Sequence, residues 1–170
     1  MADEIINRVA NSKLITLNLE DYYPEGKRLV FDIKEWLFEG LVLREKDFRE
    51  HVKLHDWSQY CDCYIALSCS TEAIIPDWAF LLISLHLQPY AKKVVVGDLN
   101  NLETSIYQDI IENLDLKNFK DKPIIIKGCS NKPVPKNAYI MIANKLKPIA
   151  KSIMYGEACS SVPLYKKQKI

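Results

Sequence analysis

Glycine is scarce in this sequence, with five among 170 residues. None of the five belongs to the G-x-G-x-x-G pattern of dinucleotide-binding domains or to the glycine-rich loop of P-loop proteins. The serine-containing stretch "ALSCSTEA" (66–73) also lacks the flanking glycines of a hydrolase nucleophile elbow. These absences exclude the common phosphate-binding loops and the α/β-hydrolase signature.

An excess of charge of one sign is also lacking. The chain has 23 lysine and arginine residues and 22 aspartate and glutamate residues, for a net charge of +1. No overall field attracts nucleic acid or a membrane surface, and we expect neither as a partner. The longest apolar run, "WAFLLISLHL" (78–87), has about half of the roughly 20 residues that a membrane span needs. The first residues, "MADEIINRVANS", lack the apolar centre of a signal peptide, so the sequence predicts a cytoplasmic protein.

The chain does contain enough apolar residues, 48% of 170, for one ordinary core. We therefore predict a single α/β domain over residues 1–170. Residues 1–60 have a β-rich pattern, with strand candidates at 14–19 and 28–33 on either side of the turn signal "YYPEGK". Residues 41–43 are a further short strand candidate, and residues 44–57 have helical spacing of apolar side chains.

From residue 62 onward, predicted strands alternate with predicted helices. The strand candidates are "CYIALS", "KKVVVG", "PIIIKG" and "KSIMYG", and each consecutive pair is separated by a helical segment. This alternation is typical of β-α-β units. We therefore predict an α/β fold with a mostly parallel sheet flanked by helices, in which "KSIMYG" (151–156) is the last strand.

Two parts of this region resemble each other when the sequence is shifted by 59 positions. Residues 76–98 and 135–157 share eight identities in 23 aligned positions, where unrelated segments share roughly one or two. The identical pairs are Pro76/Pro135, Ala79/Ala138, Ile83/Ile142, Leu87/Leu146, Pro89/Pro148, Ala91/Ala150, Lys92/Lys151 and Gly97/Gly156. The rules for helix ends explain the prolines, and a strand exit explains the glycine. An internal duplication would also explain the alanines and the lysine.

The similarity extends to the loops in front of the two helices. When one loop residue is omitted, Cys69-Ser70 aligns with Cys129-Ser130. The sequence therefore predicts two similar β-Cys-Ser-α-β units, at residues 61–98 and 121–157.

Three Cys-Ser pairs lie where a predicted strand ends. Cys69 and Cys129 each follow a strand directly, and Cys159 comes two residues after Glu157. Because ligands collect at the carboxyl ends of parallel strands, we expect these thiols to converge there together with Asp98 and Glu157. A helix N-terminus nearby favours thiolate, which is the form that binds zinc or an iron–sulfur centre. The pattern predicts a metal site made of Cys69, Cys129 and Cys159.

The simpler interpretation is that the cysteines are structural, since free cysteine is a common core residue. No Cys-x-x-Cys pair is present, and Cys61 and Cys63 lie about 20 Å of strand away from Cys69. The histidine pair His51/His55 lacks the glutamate of a zinc-protease motif. No general base accompanies the thiols, which argues against a thiol-dependent enzyme. The three tryptophans and nine tyrosines favour core packing over a binding surface.

The chain also resembles a known bacterial family. The resemblance is carried by "NRVANSKLITLNLEDYYPEG", "LREKDFREHVKLHDWSQY", "IIIKGCSNKPVP" and "AKSIMYGEACSSVPLYKK", which together cover nearly the whole chain. These stretches resemble the family called domain of unknown function 2480. The resemblance carries no established activity, and it implies a bacterial cytoplasmic protein connected with iron–sulfur cluster assembly genes.

Two functions follow from the sequence as expectations. In the first, Cys69, Cys129 and Cys159 form a zinc, iron–sulfur or sulfur-accepting site, and the protein is an accessory factor that works with iron–sulfur assembly proteins. In the second, the protein is a non-catalytic interaction module, expected to be a homodimer, with structural cysteines.

Overall fold

The computed structural model describes residues 14–128 and 131–168. The strands are β1 (Ile15–Leu17), β2 (Arg28–Asp32), β3 (Tyr64–Ser68), β4 (Lys93–Val96), β5 (Pro123–Ile126), β6 (Ser152–Glu157) and β7 (Ser160–Lys166). The α-helices are α1 (Glu45–Leu54), α2 (Asp77–Leu87), α3 (Leu99–Asn113) and α4 (Lys136–Leu146). Short 3₁₀ helices span Leu19–Tyr22, Ile33–Trp36, Trp57–Tyr60 and Lys117–Phe119. Strands and helices alternate as expected, which confirms the α/β class.

The strands form two sheets. One has the order β2-β3-β4, with all neighbours parallel. The other has the order β1-β5-β6-β7, in which only β7 is antiparallel to its neighbour. The prediction of a mostly parallel arrangement is confirmed. β1 and β2 follow each other in the sequence but belong to different sheets.

Two strand predictions are wrong. Residues 41–43 form no strand, because Val42 makes only an isolated bridge with Phe38. Residues 151–156 do not contain the last strand, since β7 follows and pairs with β6. The sequence did not predict β7 because it contains Pro163, and proline disrupts a central strand. Proline is tolerated at a sheet edge, which is where β7 lies.

The chain groups into two compact units. The central unit comprises residues 24–106 and contains the sheet β2-β3-β4. The terminal unit comprises the segments before residue 24 and after residue 106, and contains the sheet β1-β5-β6-β7. The single domain over residues 1–170 stays a prediction.

Each unit has its own hydrophobic core. In the central unit the fully buried residues include Ile33, Phe48, Ile65, Leu67, Ala79, Ile83 and Leu87. In the terminal unit they include Tyr107, Ile124, Ala138, Ile142, Leu146 and Ala150. The buried residues of α2 (Ala79, Ile83 and Leu87) match those of α4 (Ala138, Ile142 and Leu146). Three of the identical pairs found in the sequence are therefore core residues.

The helices α2 and α4 match from end to end. Each is preceded by a proline, Pro76 or Pro135, whose carbonyl accepts a hydrogen bond of 3.0 Å from the amide of Ala79 or Ala138. Both helices have 11 residues and start 59 positions apart. The proline φ angles of −65° and −70° suit the entry to a helix.

The turn before the middle strand is also repeated. Asp62 and Asp121 have left-handed φ angles of 58° and 56°. Their amides donate to the carbonyls of Tyr90 and Ile149, at 3.0 and 2.9 Å. The turn therefore holds the loop after α2 against the start of β3, and the loop after α4 against the start of β5.

The repeat begins earlier than the sequence comparison indicates. Phe48 of α1 and Tyr107 of α3 are 59 positions apart, and both side chains are fully buried. Asp56 and Asp115, again 59 apart, accept from the amides of Ser58 and Lys117 at the starts of the following 3₁₀ helices. The structure therefore shows that α1 corresponds to the second half of α3. The count of identical residues in the aligned segments did not include this region.

The first strands complete the repeat. β2 pairs in parallel with β3, with Leu29 opposite Ile65, and β1 pairs in parallel with β5, with Ile15 opposite Ile124. Ile65 and Ile124 are themselves 59 positions apart. Each unit therefore contains three parallel strands, and the strand pairs of the two units have the same register. The terminal unit has β7 as a fourth strand. The two similar units predicted at 61–98 and 121–157 form parts of these larger repeats.

Within the described residues, no helix combines the length and the apolar character that crossing a bilayer requires.

Candidate functional site

The loop after β3 carries Cys69 in a fixed position. Its thiol is half-buried against the core of the central unit and lies 3.3 Å from the Thr71 hydroxyl. Asp32, at the end of the neighbouring strand β2, accepts a 3.0 Å hydrogen bond from the amide of Ser70. The same carboxylate oxygen caps the next 3₁₀ helix through the amide of Lys34, at 3.0 Å. One carboxylate therefore joins the carboxyl ends of two parallel strands.

The charge of Asp32 matches this structural role. Partial burial raises its pKa, but the hydrogen bonds from Ser70 and Lys34 outweigh burial and hold the pKa below the ordinary value of 3.8. Asp32 is therefore ionised at neutral pH, and its negative charge strengthens both amide hydrogen bonds.

A carboxylate also binds backbone amides in the segment before α4. Cys129 and Ser130 lie outside the described residues. The next two amides, those of Asn131 and Lys132, donate to the Glu20 carboxylate at 2.5 and 2.8 Å. Glu20 belongs to the 3₁₀ helix after β1, the strand beside β5. In each unit, a carboxylate at or just after the first strand thus accepts backbone hydrogen bonds from the following loop, at Ser70 in the central unit and at Asn131 and Lys132 in the terminal unit.

Cys159 has a different setting. It lies in the two-residue turn between the antiparallel strands β6 and β7, and its side chain is exposed. Glu157 ends β6 opposite Ser160. Asp98, the other acid predicted near the thiols, exchanges hydrogen bonds of 2.8 and 3.0 Å with Asn101 at the start of α3. Asp98 is therefore a helix cap.

The expectation that the three thiols share one sheet edge is wrong. Cys69 follows β3 of the three-stranded sheet, whereas Cys129 follows β5 and Cys159 follows β6 of the other. Local alternation cannot reveal that consecutive β-α-β units belong to separate sheets. Among residues 14–128 and 131–168, no three His, Cys, Asp or Glu side chains group closely enough to hold a metal ion. The set Cys69, Cys129 and Cys159 stays a prediction, because Cys129 is outside those ranges.

Cys61 and Cys63 lie at the opposite end of β3 from Cys69, as the sequence predicts. Cys63 is buried in the core of the central unit, and its thiol lies 3.4 Å from the Cys61 carbonyl. Cys61 is exposed, 3.8 Å from the Asp62 carboxylate. Cys63 therefore has a packing role.

All three histidines pack on aromatic rings of the central unit. His51 stacks on Trp36, His86 stacks on Trp57, and His55 stacks on Tyr60. The indole of Trp57 is buried and donates to the Val52 carbonyl at 3.0 Å. The aromatic residues are thus core and core-border groups, and the histidines are part of that packing.

His55 is the most enclosed of these histidines. Its Nε2 lies 3.0 Å from the Tyr60 hydroxyl, and its ring makes edge contacts with Phe31 and Trp57. Burial lowers its pKa below the ordinary value of 6.5, against the opposing charge of Asp56. Burial likewise raises the pKa of Tyr60. At neutral pH both groups are uncharged, as the apolar surroundings require.

Helix α2 carries apolar side chains on its exposed side as well as on its core side. Leu81 and Leu85, one helical turn apart, are 64% and 69% exposed, and we call this pair the α2 face. Asp77 in the first turn and His86 in the last turn are exposed polar residues of the same helix, and His86 lies on another side of it, stacked on Trp57. A surface helix normally has a polar outer side, so the α2 face is unusual for its position.

The matched helix α4 shows that the fold does not require this face. The positions 59 residues after Leu81 and Leu85 hold Ile140 and Asn144. Lys145, which matches His86, donates to backbone carbonyls of residues 111, 112 and 114 at the end of α3. The two helices share their buried residues and differ on the outside.

The family comparison agrees with the resemblance in the sequence. A family model described as protein of unknown function (DUF2480) matches residues 3–167. The chain belongs to the DUF2480 family. For this member of the family, the search of curated proteins and the search of solved structures each returned no match.

Sequence reasoning missed the carboxylates that bind the loop of Cys69 and the residues directly after Ser130, and it missed the α2 face. Asp32 and Glu20 are distant in sequence from the amides they bind, so no local pattern links them. The α2 face was visible in principle, because "WAFLLISLHL" is apolar on all sides of a helix.

Proposed function

We propose that this chain is a non-catalytic protein-interaction module of the bacterial cytoplasm, and that the α2 face is its recognition surface. The observation that carries the proposal is the exposure of Leu81 and Leu85 on a helix whose other side is already buried in the core. Removing one such leucine from water contributes about 1.5–3 kcal/mol. The fold leaves that free energy available to a partner.

The matched unit supports a functional reason for these leucines. Asn144 occupies the position of Leu85 in a helix with the same three buried contacts. The fold is therefore compatible with a polar residue here, and stability of the helix alone does not explain an exposed leucine. Binding of a partner explains it.

Photo-crosslinking in bacteria tests this function. A photoreactive phenylalanine analogue is placed at Leu85 in one variant and at Asn144 in a matched control. We expect covalent adducts at position 85 and none at position 144. The absence of adducts at position 85, with normal amounts of folded protein, would refute the interaction module.

A second candidate function rests on the Cys-Ser loops. The loop of Cys69 and the residues directly after Ser130 are held by carboxylates at the carboxyl ends of parallel strands. This is where α/β proteins place ligand sites. As the second candidate, we propose that Cys69, Cys129 and Cys159 accept sulfur or bind zinc or an iron–sulfur centre, in an accessory factor for iron–sulfur assembly proteins.

Metal analysis tests the second candidate. The protein is purified without chelators, and zinc and iron per chain are measured beside a variant with Cys69, Cys129 and Cys159 changed to serine. A Cys61→Ser variant is the control for an exposed thiol outside the set. We expect bound metal, or a thiol that is alkylated rapidly in the folded protein, only when the three cysteines are present. Metal-free preparations with protected thiols would refute this candidate.

A further inference from the structure

We propose that Cys61 and Cys63 are a redox-sensitive pair, which closes to an intramolecular disulfide when Cys61 reacts with a low-molecular-weight disulfide of the amino-acid or peptide type. The two thiols lie in the turn between the 3₁₀ helix Trp57–Tyr60 and β3. They belong neither to the α2 face nor to the three Cys-Ser pairs. The redox pair is therefore independent of both functions proposed above.

The backbone of the turn brings the two cysteines close together. Residues 60–63 form a type II β-turn, closed by a 3.1 Å hydrogen bond from the Cys63 amide to the Tyr60 carbonyl. Cys61 has a φ of −55° and a ψ of 132°, and Asp62 supplies the positive φ, 58°, that the third turn position requires.

This turn suits a disulfide between its second and fourth positions. A residue in the left-handed helical region sets the Cα atoms of its two neighbours about 5.4 Å apart, compared with about 6.6 Å in an extended strand. The commonest Cα separation in disulfides is about 5.5–6 Å. The conformation of Asp62 therefore places Cys61 and Cys63 closer to the disulfide geometry than a continuous strand would.

Both sulfur atoms lie against the same turn. The Cys63 Sγ is 3.4 Å from the carbonyl oxygen of Cys61, and the Cys61 Sγ is 3.8 Å from the Asp62 carboxylate. Closing the disulfide therefore takes rotation of the two side chains and leaves the backbone hydrogen bond of the turn in place.

The two thiols differ in their access to solvent. Cys61 is exposed, whereas Cys63 is only 5% exposed. An exposed thiol can attack a disulfide that arrives from solution, and a buried neighbour reacts only with the mixed disulfide formed beside it. An accessible cysteine next to a resolving cysteine is the usual arrangement of a redox-sensing pair. Access therefore assigns the attack to Cys61 and the resolving step to Cys63.

A cavity of about 480 Å³ beside the turn gives room for the incoming disulfide. Both cysteines line it, and so do side chains of both charges, Lys27, Lys92, Glu25 and Asp62. Lys92 is held at the cavity because its ammonium group donates to the backbone carbonyl of Glu25 at 3.1 Å. Amino-acid and peptide disulfides carry ammonium and carboxylate groups, which such a lining can bind. The cavity has the size of a small-molecule site.

The reaction consists of two thiol–disulfide exchanges. The Cys61 thiolate attacks one sulfur of the small disulfide, forms a mixed disulfide and releases one small thiolate. The Cys63 thiolate then attacks the Cys61 sulfur and releases the second small thiolate. The protein loses two electrons and two protons, and the small disulfide is reduced to two thiols. An excess of the small thiol reverses both steps.

The matched turn of the terminal unit, residues 119–122, shows that the fold does not require this pair. The Lys122 amide donates to the Phe119 carbonyl at 3.3 Å, and Lys120 has a φ of −60° and a ψ of 129°, so the turn is of the same type. Lys120 and Lys122 lie 59 positions after Cys61 and Cys63. Lysine therefore fits the backbone at both positions, and the two thiols are particular to the central unit.

Mass spectrometry of the full chain tests the pair, in a variant with Cys69, Cys129 and Cys159 changed to serine. The reduced protein is equilibrated with glutathione redox buffers at neutral pH and is then treated with an alkylating reagent in denaturant. Under oxidising buffers we expect a chain that has lost two hydrogen atoms, carries no glutathione and takes up no alkylating reagent. An excess of reduced glutathione should restore two thiols.

Single substitutions separate the roles of the two thiols. In the same background, Cys63→Ser should stop at the mixed disulfide, with one glutathione per chain. Cys61→Lys, which copies Lys120 of the matched turn, should stay unmodified while the protein is folded, because Cys63 is buried. Circular dichroism confirms that each variant is folded. Glutathione on Cys63 of folded Cys61→Lys would overturn the assignment of the attacking thiol.

Unfolding tests the contribution of the turn. The equilibrium constant for closing the disulfide should be at least about 10-fold larger in the folded chain than in urea, since the turn holds the Cα atoms at a suitable separation. Peptide mapping of the parent chain locates the disulfide with all five cysteines present. A mixed disulfide that persists when Cys63 is present, or a disulfide that closes no better in the folded chain than in urea, would overturn the proposed pair.

Discussion

Asp32 illustrates how single side chains organise this fold. It caps one 3₁₀ helix and also holds the loop of Cys69, so it combines a local contact with one that spans 38 positions of sequence. A lost helix cap costs about 1 kcal/mol, and a lost hydrogen bond to a charged group costs somewhat more. A small acidic residue therefore contributes to stability in two places.

Replacing Asp32 should reveal both contributions. Asp32→Ala is expected to lower the free energy of unfolding by about 2 kcal/mol and to speed alkylation of Cys69 in the folded protein. Urea denaturation and a timed alkylation assay measure these effects. Glu35→Ala, in the same 3₁₀ helix but exposed, is the control. Unchanged stability in Asp32→Ala would contradict the role given to this carboxylate.

His55 makes stability depend on pH. Its pKa in the folded protein lies below the ordinary value of 6.5, so the unfolded chain binds the proton more readily. Stability from this group is complete above the ordinary pKa and is lost as the pH falls through 6.5 toward the lowered folded-state pKa.

The expected result is a fall in the free energy of unfolding as the pH is lowered from about 8 to about 5.5. His55→Gln should flatten the part of the curve that His55 contributes, while His51→Gln, at an exposed position, should change it less. Denaturant titrations at several pH values provide the measurement. An unchanged slope in His55→Gln would show that another group is responsible.

At the scale of elements, the two units repeat a turn as well as helices and strands. Asp62 and Asp121 both have left-handed backbone angles and both make the same amide hydrogen bond at the start of the middle strand. Aspartate tolerates this conformation better than most residues, and a β-branched residue tolerates it poorly.

Substitutions at these two turns should therefore behave alike. Asp62→Val and Asp121→Val are each expected to cost roughly 1–2 kcal/mol, whereas Asp62→Gly and Asp121→Gly should stay within about 0.5 kcal/mol of the parent. The exposed ion pair of Asp121 with Lys167 adds little to the difference. Thermal or urea denaturation measures all four variants. Valine variants as stable as the glycine variants would disprove a strained turn.

At the scale of the whole molecule, the question is whether the two units unfold together. The sequence predicts one domain over residues 1–170, while the structure groups residues into two compact units with separate cores. Ile83 and Ile142 are matched, fully buried residues in the two cores. Substituting them one at a time perturbs each core separately.

We expect Ile83→Ala and Ile142→Ala each to cost about 2–4 kcal/mol and to shift one common transition, as a single domain requires. Calorimetry and circular dichroism together measure whether one or two transitions occur. Leu164→Ala, at an exposed position of β7, is the control. Two transitions, each moved by only one of the substitutions, would contradict the single domain.

The amino-acid sequence by itself determined the local units of this protein. The α/β class, the helices α2 and α4 and their 59-residue offset were predictable, because the identities Ala79/Ala138, Ile83/Ile142 and Leu87/Leu146 are core positions that helical spacing makes visible. The resemblance to the DUF2480 family was also present in the sequence and is confirmed by the family match.

Only the tertiary structure decided how those units are assembled. The pairing of β1 with β5 and of β2 with β3 joins residues that are far apart in sequence, and no local pattern encodes such a pairing. It separates the strand before Cys69 from those before Cys129 and Cys159, and it allows β7 to keep Pro163 at a sheet edge. Exposure of Leu81 and Leu85 likewise depends on what the rest of the chain covers. Long-range contacts set these features, and residue spacing alone does not contain them.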